Sequence, residues 1–378
     1  MNISEEIITS LKNIGVNFFV TYPCAKIRHL YNLTHSNFPS VPIAKEEEGV
    51  GICAGAALAG AKPAMLIQST GLGNMVNALC SLTMTYQFPL LILASWRGVY
   101  HEKIAAQIPL GTRLPQIIEA MEIPYHIIRQ KNDLPNLTRA ATAAYERNEI
   151  HIVLLSPQLW ENKVPKEKPP QITKFSGIKV REETLPINMK RVFTRFELLQ
   201  KLTSFLADKS VICNIGLPSR ELYQVKHQPS NFYMLGSLGL ASSIGLGVAL
   251  SSSNQVIVID GDGSLLSNLG TLATIAQENP ANLTILAIDN SVHGSTGNQT
   301  TATNKTVDLA LAAKGLGIKR TYRATTQDEL LSILSKLSGG PNFIHIPTRP
   351  GNMSVPAIPL TPFEIRDGFM TKIMPSQP

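Results

Sequence analysis

The sequence has few of the features that mark zinc-binding, membrane and secreted proteins. Its 4 cysteines lie far apart, without the paired spacing of zinc sites or redox motifs, so buried free thiols are expected. The longest weakly polar stretch, residues 234–250, is too short and too rich in glycine and serine for a membrane span. Residues 1–15 contain no basic segment followed by an apolar one, which favours a cytoplasmic location over secretion.

Charged and aromatic residues are also scarce. Charged residues make up 16% of the chain, aromatic residues 6% and hydrophobic residues 44%, a composition typical of soluble globular proteins. The net charge of +7 comes partly from a lysine-rich segment, residues 163–181, which lacks interleaved aromatic residues and a recognition helix. Such a segment does not indicate nucleic-acid binding, and a small molecule is the expected partner.

The 378 residues predict two domains, each large enough to bury its own core. Short apolar runs flanked by Gly or Pro recur in the first half at residues 18–20, 64–67, 90–94 and 152–155. Others occur in the second half at 211–213, 231–234, 256–260, 283–288 and 343–346. Helix-length segments separate them, which predicts an α/β fold with a doubly wound parallel sheet in each half.

The domain boundaries follow from changes in composition. Residues 1–160 form the first predicted domain and residues 193–378 the second; the segment between them, residues 161–192, is rich in Pro and Lys and is predicted to be a linker. In the first domain, Ser4 is expected to cap the first helix and Gly15 to end it. After residue 350 the chain is polar and proline-rich, which predicts a surface tail.

The most informative segment is residues 261–290, GDGSLLSNLGTLATIAQENPANLTILAIDN. Asp262 lies in a glycine turn after one predicted strand, and Asn290 follows the end of the next. Because the carboxyl ends of parallel strands form the ligand-binding edge of such sheets, both side chains should meet there. Carboxylate, amide and carbonyl oxygens suit Mg²⁺, and backbone N–H groups suit a diphosphate.

Three other interpretations of this segment are possible. An isolated Gly-Asp-Gly is usually only a turn, but here an asparagine ends the second strand and Gly294 and Gly297 follow it. A Rossmann dehydrogenase is disfavoured, because no G-x-G-x-x-G opens a helix after a strand. A catalytically silent binding module stays open, although Glu46, retained together with the metal ligands, argues against it.

Long motifs in both halves resemble the sulfopyruvate decarboxylase family of thiamine-diphosphate enzymes. In the first half these are PIAKEEEGVGICAGAALAGAKPAML, QSTGLGN and RGVYHEKIAAQIPLG; in the second they are NIGLPSRELY, FYMLGSLGLASSIGLG and the Asp262/Asn290 motif. The family often has two separate subunits, which would be fused here. The resemblance implies a pyrimidine-binding domain in residues 1–160, a diphosphate-binding domain in residues 193–378 and no middle domain.

The resemblance also implies the reaction and its setting. The expected cofactors are thiamine diphosphate and Mg²⁺, and the expected reaction is decarboxylation of 3-sulfopyruvate to sulfoacetaldehyde in coenzyme M biosynthesis. Phosphonopyruvate decarboxylase is the alternative, and the number of cations around the substrate's anionic tail should discriminate between the two. Related enzymes share active sites between chains, so a homo-oligomer of at least two copies is expected.

Site residues for the thiamine end of the cofactor follow from the same resemblance. The glutamate that switches the aminopyrimidine to its imino form stands nine residues before a glycine, which selects Glu46 from Gly55, with Glu47 and Glu48 as alternatives. Leu238 is expected to wedge between the two rings. Gly236 and Ser237 lie in the same segment, and the Gly236 carbonyl is expected to accept a hydrogen bond from the cofactor's amino group.

The metal ligands implied are Asp262, Asn290 and the backbone carbonyl of Val292. Residues expected near the diphosphate are Gly263, Ser264, His293 and Gly294. His293 stands where the family usually has tyrosine, so the proton donor for product release stays open between His293 and His101.

The substrate's anionic tail requires cations that the cofactor does not use. Arg97 and Lys103 are the expected tail-binding residues, because they follow a predicted strand end. Gln68 and Gln107 are expected to orient the 2-oxo acid. Lys26 and Arg28 are the alternative cations.

Overall fold

The computed structural model describes residues 2–160 and 191–374. The chain divides into two compact units, Met1–Ser176 and Gly177–Pro378. The predicted linker, residues 161–192, lies outside the described residues except for its last two, Arg191 and Val192. Its boundaries therefore stay a prediction.

The first unit is built around a six-stranded parallel sheet with the strand order β2-β1-β3-β4-β6-β5. Its elements, in chain order, are α1 (Ile3–Ile14), β1 (Phe18–Thr21), α2 (Arg28–Asn37), β2 (Ser40–Pro42), α3 (Glu46–Leu58), β3 (Pro63–Gln68), α4 (Val76–Ala78), β4 (Leu90–Ser95), α5 (Ile108–Ala120), β5 (Tyr125–Ile128), α6 (Leu134–Arg147) and β6 (Ile150–Leu155). Strands β1, β4 and β6 are buried along their whole length, as expected of a sheet covered on both faces.

The second unit is built around another six-stranded parallel sheet, with the order β13-β14-β10-β9-β7-β8 and a separate hairpin, β11-β12. Its elements are α7 (Arg195–Leu206), β7 (Ser210–Cys213), α8 (Leu217–Val225), β8 (Asn231–Tyr233), α9 (Ala241–Ser251), β9 (Val256–Gly261), α10 (Asp262–Ser267), α11 (Thr271–Glu278), β10 (Leu283–Asp289), β11 (Val292–His293), β12 (Gln299–Thr300), α12 (Leu309–Gly315), β13 (Arg320–Arg323), α13 (Gln327–Ser335), β14 (Asn342–Pro347) and α14 (Pro362–Ile373). The predicted fold class, two doubly wound parallel sheets, is confirmed.

The first helix begins earlier than predicted. Asn2, not Ser4, is its N-cap: the Asn2 side chain accepts a hydrogen bond from the Glu5 N–H, and the Glu5 carboxylate accepts one from the Asn2 N–H. Ser4 lies inside the helix and is buried, and its Oγ accepts a hydrogen bond from Trp160 Nε1 at 2.8 Å. Gly15 ends the helix in the left-handed conformation, as predicted.

Two further expectations are wrong. The segment after residue 350 contains the helix α14, whose residues Ile365, Phe369 and Ile373 are buried, and the Phe369 ring packs on Phe232. Three cysteines are buried as expected, but Cys80 is exposed. Among the described residues, no helix combines the length and the apolar character needed to cross a membrane.

Candidate active site

Glu46 opens helix α3 and lies at the carboxyl edge of the first sheet. Its side chain is buried, with 6% of the residue exposed. Glu46 Oε2 accepts a hydrogen bond from Asn74 Nδ2 at 3.0 Å. The 3-10 helix Ser69–Asn74 therefore covers the carboxylate.

A glycine in this 3-10 helix makes the approach possible. A Cβ atom on Gly71 would lie 2.4 Å from Glu46 Oε1, so no larger residue fits without moving the carboxylate. The neighbouring glutamates have other roles: Glu47 pairs with Lys45 at 2.6 Å, and Glu48 Oε1 accepts a hydrogen bond from the Ala44 N–H. The geometry thus distinguishes Glu46 from both alternatives.

Arg97, Gln68 and Gln107 lie together at the same sheet edge. Arg97 Nη1 donates to Gln68 Oε1 at 3.2 Å, and Gln68 Nε2 lies 3.4 Å from Gln107 Oε1. The Arg97 backbone N–H donates to Ser69 Oγ at 2.9 Å, which ties this cluster to the segment that covers Glu46. Lys103 lies on the same loop but is exposed.

Arg97 was expected to bind the substrate's anionic tail, but its guanidinium is already paired with a carboxylate. Its Nε donates to Glu102 Oε2 at 2.6 Å, and both side chains are 6% exposed. The hydrogen bond from Arg97 lowers the pKa of Glu102 to about 2, so this carboxylate is ionised at neutral pH. The alternative cations Lys26 and Arg28 are exposed, as is His101.

The second unit contains a cavity of about 280 Å³ at the carboxyl edge of its sheet. Its wall includes most of the predicted cofactor residues, namely Leu238, Asp262, Gly263, Ser264, Asn290, Val292, His293 and Gly294. Gly236 and Ser237 precede Leu238 in the chain and do not line the cavity.

Asp262 is held by hydroxyl groups that the sequence did not reveal. Only 3% of Asp262 is exposed, and its Oδ2 accepts hydrogen bonds from the hydroxyls of Thr301 and Thr303. Burial raises the pKa of Asp262; the Thr301 hydrogen bond opposes this, and the nearby Asp289 charge adds to it. A bound cation would relieve the cost of this buried charge.

Asp289 anchors the loop that carries the other predicted metal ligands. Asp289 is fully buried, and its carboxylate accepts hydrogen bonds from the Ser291 N–H, the Thr303 hydroxyl and His345 Nε2. Burial raises the pKa of Asp289, but the hydrogen bond and charge of His345, with Thr303 and Arg191, outweigh it and lower the pKa overall. The loop after β10 is therefore fixed by an ionised carboxylate.

Leu238 projects at the mouth of the cavity, with 47% of the residue exposed. It follows Ser237, which has a positive φ of 60°, and precedes Gly239, whose N–H donates to Ser264 Oγ at 3.1 Å. The Ser264 hydroxyl also bonds Asp260, whose pKa burial raises to about 6. The Ser264 hydroxyl is thus already hydrogen-bonded within the protein, which leaves the Ser264 backbone N–H as the group that suits a diphosphate.

The His293 ring lies beside Gly263, and both residues line the cavity. A Cβ atom on Gly263 would lie 2.5 Å from His293 Cε1, so the imidazole ring takes the space that a side chain would need. The next residue, Gly294, is fixed through its carbonyl, which accepts from Asn352 Nδ2 at 2.9 Å. Asn352 Oδ1 in turn accepts from Arg195 Nη2 at 3.0 Å.

The donor set of this cavity fits a hard cation beside a diphosphate. Asp262 offers a carboxylate, Asn290 an amide oxygen and Val292 a backbone carbonyl, all of them oxygens of the type that Mg²⁺ prefers. Within residues 2–160 and 191–374, no cluster of three or more His, Cys, Asp or Glu side chains could hold a metal ion. The remaining ligands would therefore have to be oxygens of the cofactor and water.

Several residues of the cavity were not singled out from the sequence. Gly216 is the N-cap of α8, with φ 85° and ψ −132°, and turns the N-terminus of this helix toward the cavity. A helix N-terminus presents free N–H groups to an anion. Asn214 lies beside Gly261, and both belong to quoted motifs, but spacing alone did not show that they converge.

Family models match both halves of the chain. The thiamine pyrophosphate enzyme N-terminal TPP binding domain matches residues 1–122, and the C-terminal TPP binding domain matches residues 214–346. A solved structure of benzoylformate decarboxylase from Polynucleobacter necessarius shares the fold, with a TM-score of 0.71, 14% identity and coverage of 93% of this chain and 100% of that one. The protein is therefore a thiamine pyrophosphate enzyme.

The chain belongs to the sulfopyruvate decarboxylase family. It is 43% identical to sulfopyruvate decarboxylase of Methanosarcina acetivorans over 98% of this chain and 97% of that protein. Two subunits of the Methanococcus maripaludis enzyme match separate parts: subunit alpha is 37% identical over 43% of this chain and 99% of its own length, and subunit beta is 45% identical over 48% and 97%. The predicted fusion of both subunit types is confirmed.

A more distant relative acts on a phosphonate. Phosphonopyruvate decarboxylase of Streptomyces viridochromogenes is 31% identical over 97% of this chain and 94% of that protein.

Proposed function

We propose that this protein decarboxylates 3-sulfopyruvate to sulfoacetaldehyde and CO₂, with thiamine diphosphate and Mg²⁺ as cofactors. The observation that carries the proposal is that one chain retains both a covered Glu46 carboxylate and the Asp262 cavity, within a sequence 43% identical to sulfopyruvate decarboxylase. A silent binding module would need neither the Asn74 hydrogen bond to Glu46 nor the glycine that admits this carboxylate.

Most of the predicted site residues have a role in this proposal; Gly236 and Ser237, which do not line the cavity, have none. The cofactor supplies an electron sink for the carbon that loses CO₂. Glu46 holds and returns a proton at the pyrimidine, and Leu238 shapes the cofactor from the cavity mouth. Asp262, Asn290 and the Val292 carbonyl hold Mg²⁺.

Other groups serve the diphosphate and the substrate. N–H groups of Gly263, Ser264 and Gly294 face the diphosphate, and His293, beside them, is one candidate proton donor for product release. Arg97, Gln68, Gln107 and Lys103 receive the substrate's anionic tail and its 2-oxo acid group.

Sulfopyruvate is preferred over phosphonopyruvate as the substrate for two reasons. The sulfopyruvate enzyme is 43% identical to this chain, whereas the phosphonopyruvate enzyme is 31% identical. Among the described residues of the first unit, Arg97 is the single buried Arg or Lys of the predicted tail site, and it is paired with Glu102. A sulfonate carries one charge and a phosphonate nearly two at neutral pH, so a site with this little net positive charge suits the sulfonate better.

The setting of the reaction is proposed on the same basis. We infer a place in coenzyme M biosynthesis and a cytoplasmic location, because the chain belongs to the sulfopyruvate decarboxylase family. We also infer a homo-oligomer of at least two chains, in which residues of one copy complete the site of another. Light scattering at assay concentration tests the assembly, and an active monomer would contradict it.

A side-by-side assay tests the activity. Purified protein is incubated with thiamine diphosphate and Mg²⁺, and CO₂ release is measured with sulfopyruvate, phosphonopyruvate and pyruvate. We expect the highest kcat/KM with sulfopyruvate and loss of activity after the metal is chelated. A higher kcat/KM with phosphonopyruvate would establish the alternative substrate, and no CO₂ from any 2-oxo acid would support a silent module.

A further inference from the structure

Arg97, Gln68 and Gln107 form a cluster, here called the Arg97 cluster, whose charge is set by the neighbouring Glu102. Arg97 and Glu102 form an ion pair 2.6 Å long, in which both side chains are almost completely buried. Glu102 is fixed from its other side, because its Oε1 accepts a hydrogen bond from the Ile104 N–H at 3.2 Å. The pair therefore has a net charge of zero and a defined geometry.

Arg97 still has donors for a ligand. Its Nε binds Glu102, and its Nη1 binds Gln68 and lies 4.0 Å from Cys24 Sγ. Within residues 2–160 and 191–374, Nη2 makes no hydrogen bond. Two N–H groups of a guanidinium, oriented by a carboxylate on the opposite side, are suited to one oxygen-rich anion.

The charge balance favours an anion with one negative charge. Arg97 and Glu102 cancel, which leaves the exposed Lys103 as the further cation of this loop. A sulfonate places one negative charge beside this arrangement, and Lys103 can match it. A phosphonate places nearly two, and the second finds no matching positive charge, because the Glu102 carboxylate on the opposite side of the guanidinium already cancels the charge of Arg97.

We propose that Glu102 is a specificity-determining residue, which neutralises Arg97 and thereby selects 2-oxo acids with a singly charged tail over those with a doubly charged tail. The inference rests on the proposed function, because it assigns the tail of the substrate to the Arg97 cluster. The low pKa of Glu102 means that its charge persists across the whole pH range of an assay.

The test is the ratio of kcat/KM for sulfopyruvate to kcat/KM for phosphonopyruvate. Glu102→Gln keeps the shape of the side chain and an oxygen for Arg97 Nε, but it removes the negative charge. We expect the ratio to fall at least about tenfold, mainly because phosphonopyruvate improves. Glu102→Asp keeps the charge, so its ratio should stay within about threefold of wild type even if both activities fall.

Glu47→Gln is the matched control, since it removes a partly exposed carboxylate that pairs with Lys45. Its ratio should equal that of wild type. An unchanged ratio in Glu102→Gln, with wild type active on sulfopyruvate, would overturn this inference and leave the proposed function standing. Equal falls in Glu102→Gln and Glu102→Asp would also overturn it, because packing rather than charge would then set the preference.

A wild-type measurement covers the case in which Glu102→Gln does not fold. Inhibition by sulfoacetate and phosphonoacetate is compared as the pH is lowered through the second ionisation of the phosphonate, which is located by titrating phosphonoacetate alone. Phosphonoacetate should bind more tightly as it loses its second charge. Sulfoacetate, whose charge is constant, reports any titration of His101, Cys24 or Lys103 on the protein.

Parallel pH profiles for the two inhibitors would overturn the charge argument. A wild-type protein that decarboxylates neither sulfopyruvate nor phosphonopyruvate would remove the proposed function, and this inference with it.

Discussion

The two sheets have the same strand order but carry different chemistry. When the six sheet strands of each unit are numbered along the chain, leaving out the hairpin β11-β12, both orders become 2-1-3-4-6-5. Equivalent loops can therefore be compared. After the second strand come Glu46 in one unit and Leu238 in the other.

The loops after the third and fourth strands continue the comparison. After the third strand come Gly71 and Asn74 in the first unit and Asp262 in the second. After the fourth strand come Arg97 and Asn290. The same topology thus gives each unit a ligand-binding edge. The loop sequences decide whether that edge binds the substrate and transfers protons, or binds the metal and the diphosphate.

The two edges also differ in how their charges are satisfied. In the first unit, Arg97 is paired with Glu102 and Glu46 is bonded to Asn74, so the charged groups already have partners. In the second unit, the buried Asp262 accepts hydrogen bonds from two threonine hydroxyls but has no paired cation among the described residues, and its pKa is raised by burial. We therefore expect changes in the first unit to affect turnover and changes in the second to affect cofactor retention.

The largest effect is expected for Asp262→Ala. Without the only full negative charge among the proposed ligands, Mg²⁺ and the diphosphate lose their bridge, and Mg²⁺-dependent binding of thiamine diphosphate should disappear. Isothermal calorimetry measures this, with Asp367→Ala, an exposed carboxylate of α14, as the control. Tight cofactor binding by the Asp262 variant in the presence of chelator would remove the metal assignment.

Glu46→Gln tests the first unit. It should slow turnover by roughly 10²-fold or more, the usual scale of acid–base assistance, and leave cofactor binding largely intact. Steady-state kinetics and calorimetry on the same samples separate the two effects. If Glu47→Gln proved as damaging as Glu46→Gln, the assignment of Glu46 would be wrong.

Arg97→Ala should lower kcat/KM for sulfopyruvate by roughly 10- to 150-fold, the equivalent of about 1.5–3 kcal/mol for one charge-assisted contact. The loss should be much smaller for pyruvate, which has no anionic tail. Equal losses for both substrates would show that Arg97 serves the carboxylate or the fold, and the tail site would then be sought at Lys26 and Arg28.

Gly71→Ala tests the close approach to Glu46. The new Cβ would meet Glu46 Oε1 at 2.4 Å and displace the carboxylate, so kcat should fall about tenfold while cofactor binding is retained. Gly73→Ala is the matched control from the same segment, because its Cβ would meet only Leu110 Cδ2 at 3.5 Å. A normal kcat in Gly71→Ala would mean that the position of Glu46 is not critical.

The smallest effect concerns stability. Burial raises the pKa of Asp262, so at neutral pH the metal-free folded protein carries a charge that folding disfavours. Asp262→Asn removes it and should raise the melting temperature of the metal-free protein by a few degrees at pH 7. The gain should shrink as the pH falls through the raised pKa of the folded state and vanish below the ordinary pKa of aspartate, where the carboxyl is protonated in both states. A gain that does not change with pH would contradict the argument.

The interior strands were predictable and several edge strands were not. Strands β4 and β10 are buried over their whole length and mostly apolar, and their predicted bounds lie within one residue of the observed ones at each end. Strands β2, β5 and β13 lie at or next to solvent on the outer edges of their sheets and are only partly buried, so they have no continuous apolar run. Their sequences resemble loops because half of their surface is not in the core.

The fold class and the residues that follow the strand ends could be predicted from apolar runs and motif spacing, which are local properties, and the cofactor followed from the resemblance of long motifs to a known family. The tertiary structure alone decided which groups meet across long separations. Thr301 lies 39 residues from Asp262 and joins it only because the hairpin β11-β12 folds back. Arg97 was visible as a cation, but its neutralisation by Glu102 depends on the turn of the loop after β4, since charges in a sequence do not reveal their partners.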